Sequence, residues 1–122
     1  MILNLLVLRA RDPDMLAHFY EGFGLRFIRE RHGKGPEHLV CSISGMTFEI
    51  YPVTKEAQTT GARIGFAVDD VDASYASAIG AKAEGLKAPA ESAWGKRAVV
   101  KDPEGHIVEL TERRTGGAMA QM

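Results

Sequence analysis

Two spacings of apolar residues alternate along this chain, and they recur in the same order twice. Residues 2–9 (Ile-Leu-Asn-Leu-Leu-Val-Leu-Arg) are apolar on both parities and predict a strand buried on both faces. Asp12-Pro13 opens a helix, with aspartate as N-cap and proline in the first turn. Met15, Phe19 and Phe23, flanked by Leu16 and Tyr20, form its apolar stripe, and Gly24 stops it. Leu25–Arg31 alternates as a strand, and 32–36 (His-Gly-Lys-Gly-Pro) is a turn cluster. Two more strands, Glu37–Ile43 and Met46–Pro52, meet at Ser44-Gly45.

After a polar stretch the pattern restarts. Arg63–Val68 is a strand, Asp70 caps a helix with the stripe Val71, Tyr75 and Ile79, and Gly80 ends it. An alanine-rich strand is expected near Ala83–Lys87, a loop at Ala88-Pro89, then strands Trp94–Lys101 and His106–Glu112. Thr115–Met122 carries no period and reads as a frayed tail.

The repeat can be checked position by position. Leu5 stands seven residues before the cap Asp12, and Arg63 seven before the cap Asp70. Gly45-x-x-x-Glu49-Ile50 and Gly105-x-x-x-Glu109-Leu110 are one segment used twice. The chain is therefore expected to be α+β: one domain of two tandem βαβββ modules, each a curved half-barrel sheet. Module one covers about residues 2–53, a linker 54–62, module two about 63–112, and a flexible tail 113–122.

The stretch Asp102-Pro-Glu-Gly-His-Ile-Val-Glu109-Leu110 is a tight turn opening onto a strand that carries a carboxylate into its middle. Such a carboxylate is costly without a partner. Strand alternation places Phe48, Ile50, Ile64, Phe66, Val108 and Leu110 on the face toward the helices. The opposite face carries Leu3, Leu5 and Val7; Thr47, Glu49 and Tyr51; Arg63, Gly65 and Ala67; and Ile107, Glu109 and Thr111. That mixed apolar and charged set predicts a small-molecule pocket.

Composition narrows the classes. A chain of 122 residues, 45% hydrophobic and 25% charged with a net charge of −1, is globular and offers no electrostatic case for nucleic acid or membrane surfaces. No apolar run approaches the length of a membrane span, and the N-terminus lacks signal-peptide features, which makes a cytoplasmic location the default expectation. Cys41 is the lone cysteine; it excludes a disulfide framework and reads as a small buried residue, not a nucleophile.

Four segments resemble the vicinal oxygen chelate superfamily, which includes glyoxalase I, bleomycin resistance proteins, extradiol dioxygenases and fosfomycin resistance enzymes. They are Leu8-Arg-Ala-Arg-Asp12, Phe19-Tyr-Glu-Gly-Phe-Gly-Leu25, Ile64-Gly-Phe-Ala-Val-Asp-Asp-Val71, and Trp94-Gly95 followed by Asp102–Leu110. The resemblance covers about residues 2–112. It implies a metal held by four strand positions, which here are Leu5, Glu49, Arg63 and Glu109. Leucine has no donor atom, and arginine stays protonated and only donates hydrogen bonds, so two of the four positions depart from the pattern. No cofactor is expected on this reading; a divalent metal at Glu49 and Glu109 is the alternative. Arg63 is expected to take the metal's place by pairing with Glu109, Glu49 or both, a buried pair whose disruption costs roughly 3–5 kcal/mol.

The resemblance also implies a homodimer and places Trp94 at the pocket rim. The ligand-pocket set is then Leu5, Val7, Glu49, Tyr51, Arg63, Gly65, Trp94 and Glu109. The function expected is metal-independent binding or sequestration of an aromatic or planar small molecule, in the manner of antibiotic-resistance proteins. Whether the protein is an enzyme stays open. The alternative is a metal-dependent lyase, isomerase or thiol transferase of the lactoylglutathione-lyase kind, with Glu49, Glu109 or Tyr51 as catalytic candidates. A third possibility is a structural domain with its cavity closed by Leu5 and Arg63.

Overall fold

The computed structural model describes residues 1–113. The elements run β1 (Leu5–Ala10), α1 (Pro13–Glu21), β2 (Ile28–Glu30), β3 (His38–Ile43), β4 (Met46–Pro52), β5 (Arg63–Val68), α2 (Val71–Gly80), β6 (Glu84–Ser92), β7 (Gly95–Lys101) and β8 (Ile107–Glu112). The chain divides into two compact units between Thr60 and Gly61. Each holds one helix and one unclosed four-stranded mixed sheet, ordered β1-β4-β3-β2 in the first and β5-β8-β7-β6 in the second. The first strand of each unit pairs parallel to its last, and the remaining pairs are antiparallel. This is the α+β architecture of two tandem βαβββ modules that the repeat predicts.

Both helices begin where the capping residues place them. The Asp12 carboxylate accepts from the Met15 amide at 3.1 Å, and the Asp70 carboxylate from the Ala73 amide at 3.0 Å. Ser44 and Gly45 both adopt positive φ (50° and 75°), the left-handed pair that suits a two-residue hairpin between β3 and β4. The corresponding connection in module two is held by side chains instead. Buried Asp102 accepts from the amides of Glu104 (2.9 Å) and His106 (3.0 Å), and its second oxygen lies 2.8 Å from His106 Nδ1. Gly105 makes that turn possible with φ +98°.

The helix-facing sides of the sheets form the cores. In module one Leu8, Ala10, Leu39, Cys41, Phe48 and Ile50 are buried with Leu16, Ala17, Phe19 and Tyr20 of α1. Edge-on ring contacts tie Tyr20 to Phe48 at 5.2 Å and Phe19 to Tyr20 at 4.9 Å. Module two fills the same space with smaller groups: Val68, Val71, Ala78, Ala98, Val100, Val108 and Leu110. Among the described residues no helix is long and apolar enough to cross a membrane.

Four expectations need correction. The first strand starts at Leu5, where pairing with Thr47 begins, so Ile2 and Leu3 run past the sheet and are exposed. The strand expected over Leu25–Arg31 shrinks to Ile28–Glu30, an outermost strand paired only to β3. Ala88-Pro89 is not a loop but the interior of β6. That strand is the sheet edge, where the missing proline N–H is tolerated, and it absorbs the irregularity as register shifts between Gly85 and Ala90. Ile79 is partly exposed on α2, whose buried residues are Val71 and Ala78. Of the expected tail, 114–122 lies outside the described residues, and Arg113 continues the sheet by donating its amide to the Val68 carbonyl at 2.6 Å.

Candidate functional site

The face of each sheet turned away from its helix carries the charged residues. In module two, β8 presents Ile107, Glu109 and Thr111, and the parallel register sets Gly65 of β5 directly opposite Glu109, with Arg63 one step back opposite Ile107. Antiparallel β7 sets Val99 opposite Glu109 and Arg97 opposite Thr111. Long side chains reach a diagonal neighbour across such a pair. The result is a fork: Arg63 Nε donates to Oε2 of Glu109, while Arg97 donates to Oε1 through Nη2 at 2.7 Å and Nε at 3.1 Å.

The two guanidiniums hold the Glu109 carboxyl below the ordinary carboxylate value, the Arg97 hydrogen bonds most strongly and those of Arg63 next, against the opposing effect of burial. Arg63 is thus paired as the sequence predicts, with Glu109 and not Glu49. Its side chain is 57% exposed, however, so the buried-pair energy expected from sequence does not apply to it. Arg97, at 22%, is the more enclosed partner, and sequence reading missed it. Strand parity puts Arg97 on the side of Val99, but that this side faces Glu109 follows only from the β7–β8 register.

An open cavity of about 430 Å³ lies on this face, lined by Trp94, Arg97, Glu109 and Thr111. Trp94 sits in the β6–β7 turn, where the Ser92 hydroxyl donates to the Gly95 carbonyl at 2.6 Å and accepts from the Trp94 amide at 3.2 Å. The indole is 56% exposed at the cavity mouth. No atom lies within 4 Å of where a Cβ on Gly65 would stand, so the strand beside Glu109 leaves open space. Of the predicted pocket set, Trp94 and Glu109 line this cavity and Arg63 and Gly65 adjoin Glu109.

Leu5, Val7, Glu49 and Tyr51 lie together on the corresponding face of module one, where Val7 is opposite Glu49 and Leu5 opposite Thr47. Tyr51 stacks on His38 with ring centroids 4.1 Å apart and planes 9° from parallel, and the Arg9 guanidinium also lies over the tyrosine ring at 4.9 Å. Burial, then the Glu49 charge, pushes the Tyr51 phenol up from its ordinary value, so it stays protonated near neutral pH. His38 is buried and its Nε2 lies 3.8 Å from Glu49. Burial also raises the Cys41 thiol, which suits an inert core residue.

The metal positions implied by the resemblance can be tested on these contacts. Leu5 brings no donor atom, and Arg63 is a cation already bonded to Glu109, whose second oxygen is taken by Arg97. Those four residues do not fit a metal ion.

Two tandem βαβββ modules are the fold of the vicinal oxygen chelate class. The sequence model of the Glyoxalase/Bleomycin resistance protein/Dioxygenase superfamily matches residues 2–110, and the chain belongs to that superfamily. A glyoxalase-related enzyme from Fulvimarina pelagi superposes with a TM-score of 0.75 at 21% identity, over 93% of this chain and 88% of that one. A glyoxalase/bleomycin resistance protein/dioxygenase family enzyme from Burkholderia phytofirmans PsJN gives 0.73 at 23% identity, over 92% and 98% of the two chains. TnmS3, an antibiotic binding protein from Streptomyces sp. CB03234, gives 0.70 at 21% identity, over 93% and 97%. At these identities the likeness is one of fold. No curated protein sequence matches at a significant level.

Proposed function

We propose that this protein binds a small planar aromatic molecule on the module-two face, without needing a metal. The observation that carries the reading is the open cavity lined by Trp94, Arg97, Glu109 and Thr111, whose carboxylate is already neutralised. Two guanidiniums against one carboxylate leave the fork itself cationic by one charge. A guanidinium has five N–H donors, and Glu109 takes two from Arg97 and one from Arg63. The outward N–H groups suit a carboxylate, phenolate or phosphate on the ligand, while the exposed indole offers a stacking surface. An antibiotic binding protein among the structural neighbours supports sequestration as the purpose.

The enzyme reading is weaker on this face. A carboxylate stabilised by two arginines is a poor base, so Glu109 is unsuited to proton abstraction. Homodimerisation belongs to the same proposal, and sedimentation at micromolar concentration tests it directly.

Trp94 is the single tryptophan and lines this cavity, so the tryptophan fluorescence comes from the site itself. Chelator-treated protein should be titrated with matched aromatic compounds bearing anionic, neutral or cationic groups. Anionic compounds should quench the indole best, and Arg97→Met should weaken them at least tenfold. Quenching that requires an added divalent ion, or that prefers cationic compounds, would overturn the proposal.

A further inference from the structure

Module one gathers a second set of polar groups that the ligand pocket does not use. Glu30 ends β2 and stands opposite His38, the first residue of β3. His32 follows Glu30 by two residues, which returns its ring to the same side. The ligating atoms of Glu30, His32 and His38 all lie within 4.8 Å of one another. His32 Nε2 is 2.8 Å and His38 Nε2 is 3.8 Å from the same oxygen, Oε1 of Glu30. Glu49 brings Oε2 to 3.8 Å from His38 Nε2 from the other strand.

His38 is the informative residue. Its side chain is 1% exposed, yet Nε2 has no hydrogen-bond partner among the described residues. Nδ1 lies 3.2 Å from the Pro36 carbonyl, which can only accept, so the ring proton belongs on Nδ1. Nε2 is left turned toward two carboxylates, 3.8 Å from an oxygen of each and too far for hydrogen bonding. Tyr51, stacked at 4.1 Å, fixes the ring plane. A histidine whose Nδ1–H is held by a backbone carbonyl and whose Nε2 is bare is the form in which imidazole ligates a metal.

The geometry points to a divalent transition-metal site, zinc by preference, held by Glu30, His32 and His38 with Glu49 as the fourth donor. Metal–ligand bonds of about 2.0–2.2 Å in a tetrahedron set donor atoms roughly 3.4 Å apart. The separations of 2.8 and 3.8 Å bracket that value and need only side-chain adjustment, which exposed His32 can supply. Two imidazoles favour zinc, nickel or cobalt over magnesium or calcium. The proposed donors lie on β2, the β2–β3 loop, β3 and β4, and of the four strand positions at which the resemblance places its metal only Glu49 is among them.

The test uses the full chain without an affinity tag, stripped with chelator and titrated with zinc chloride by calorimetry and with cobalt chloride by absorption. One zinc per chain is expected, together with the visible absorption bands of tetrahedral cobalt. His32→Ala and Glu30→Gln, both at accessible side chains and so harmless to folding, should each weaken zinc at least tenfold. Failure to bind zinc stoichiometrically overturns the assignment. So does zinc binding that survives both substitutions, or that disappears only with Glu109→Gln.

Discussion

The two modules place a glutamate at the same point of the same fold and surround it with opposite chemistry. Register makes the comparison position by position. Val7 and Gly65 face Glu49 and Glu109 from the parallel strand, and Val40 and Val99 face them from the antiparallel one. It follows that Leu5 corresponds to Arg63, His38 to Arg97 and Tyr51 to Thr111. In module two both arginines converge on Glu109, whereas in module one Glu49 faces the stacked His38 imidazole at 3.8 Å and, among the described residues, no guanidinium within hydrogen-bond distance. Topology decides where a carboxylate points; two residues on neighbouring strands decide whether it is an ion-pair partner or a prospective ligand.

The comparison breaks most sharply at the turns. Asp102→Ala removes the acceptor for two amides and the His106 ring in a buried site, and should cost about 3 kcal/mol in urea unfolding. In module one the β3–β4 hairpin turns on the positive-φ pair Ser44 and Gly45, and no buried carboxylate clamp holds it among the described residues. Next, Arg97→Met should cost about 1–2 kcal/mol at neutral pH, because it strips the more enclosed partner from Glu109. Arg63→Met, at an exposed guanidinium, should cost under about 1 kcal/mol. A larger loss at Arg63 than at Arg97 would invert the order of the fork.

The acid response sharpens the contrast further. Folding lowers the Glu109 pKa from 4.5, so its contribution is complete above that value and is lost as pH falls through the lowered folded value. The stability gap between wild type and Glu109→Gln should therefore be widest near neutral pH and close on acidification below 4.5. Glu49→Gln should change stability by under about 0.5 kcal/mol at neutral pH in the metal-free protein. An equal effect at both glutamates would show that the arginine fork contributes nothing.

The repeat made the topology legible, because caps, glycine stops and strand parity all agree between modules. Strands without strong alternation were harder. Leu25–Arg31 is mostly unpaired because only three residues reach β3, and β6 carries Pro89 through a bulged edge that composition alone reads as a loop. At the site, Glu109, Arg63 and Trp94 were visible because each sits at a repeat-related or turn position. Arg97 and His38 were not, since their importance comes from cross-strand register and not from spacing along the chain. His38 in particular borders a glycine-rich turn and shows its face only once it is seen opposite Glu30 and stacked on Tyr51.

The Asp102 clamp governs more than its own turn. By fixing where β7 ends and β8 begins, it sets which residue of one strand meets which of the other. A slip of one residue would turn Glu109 toward the α2 side and Val108 toward the cavity, exchanging the two faces of β8. Asp102 and His106 never touch the cavity, yet they act as its alignment pin. A variant there would retain its secondary structure while losing ligand-dependent quenching of Trp94.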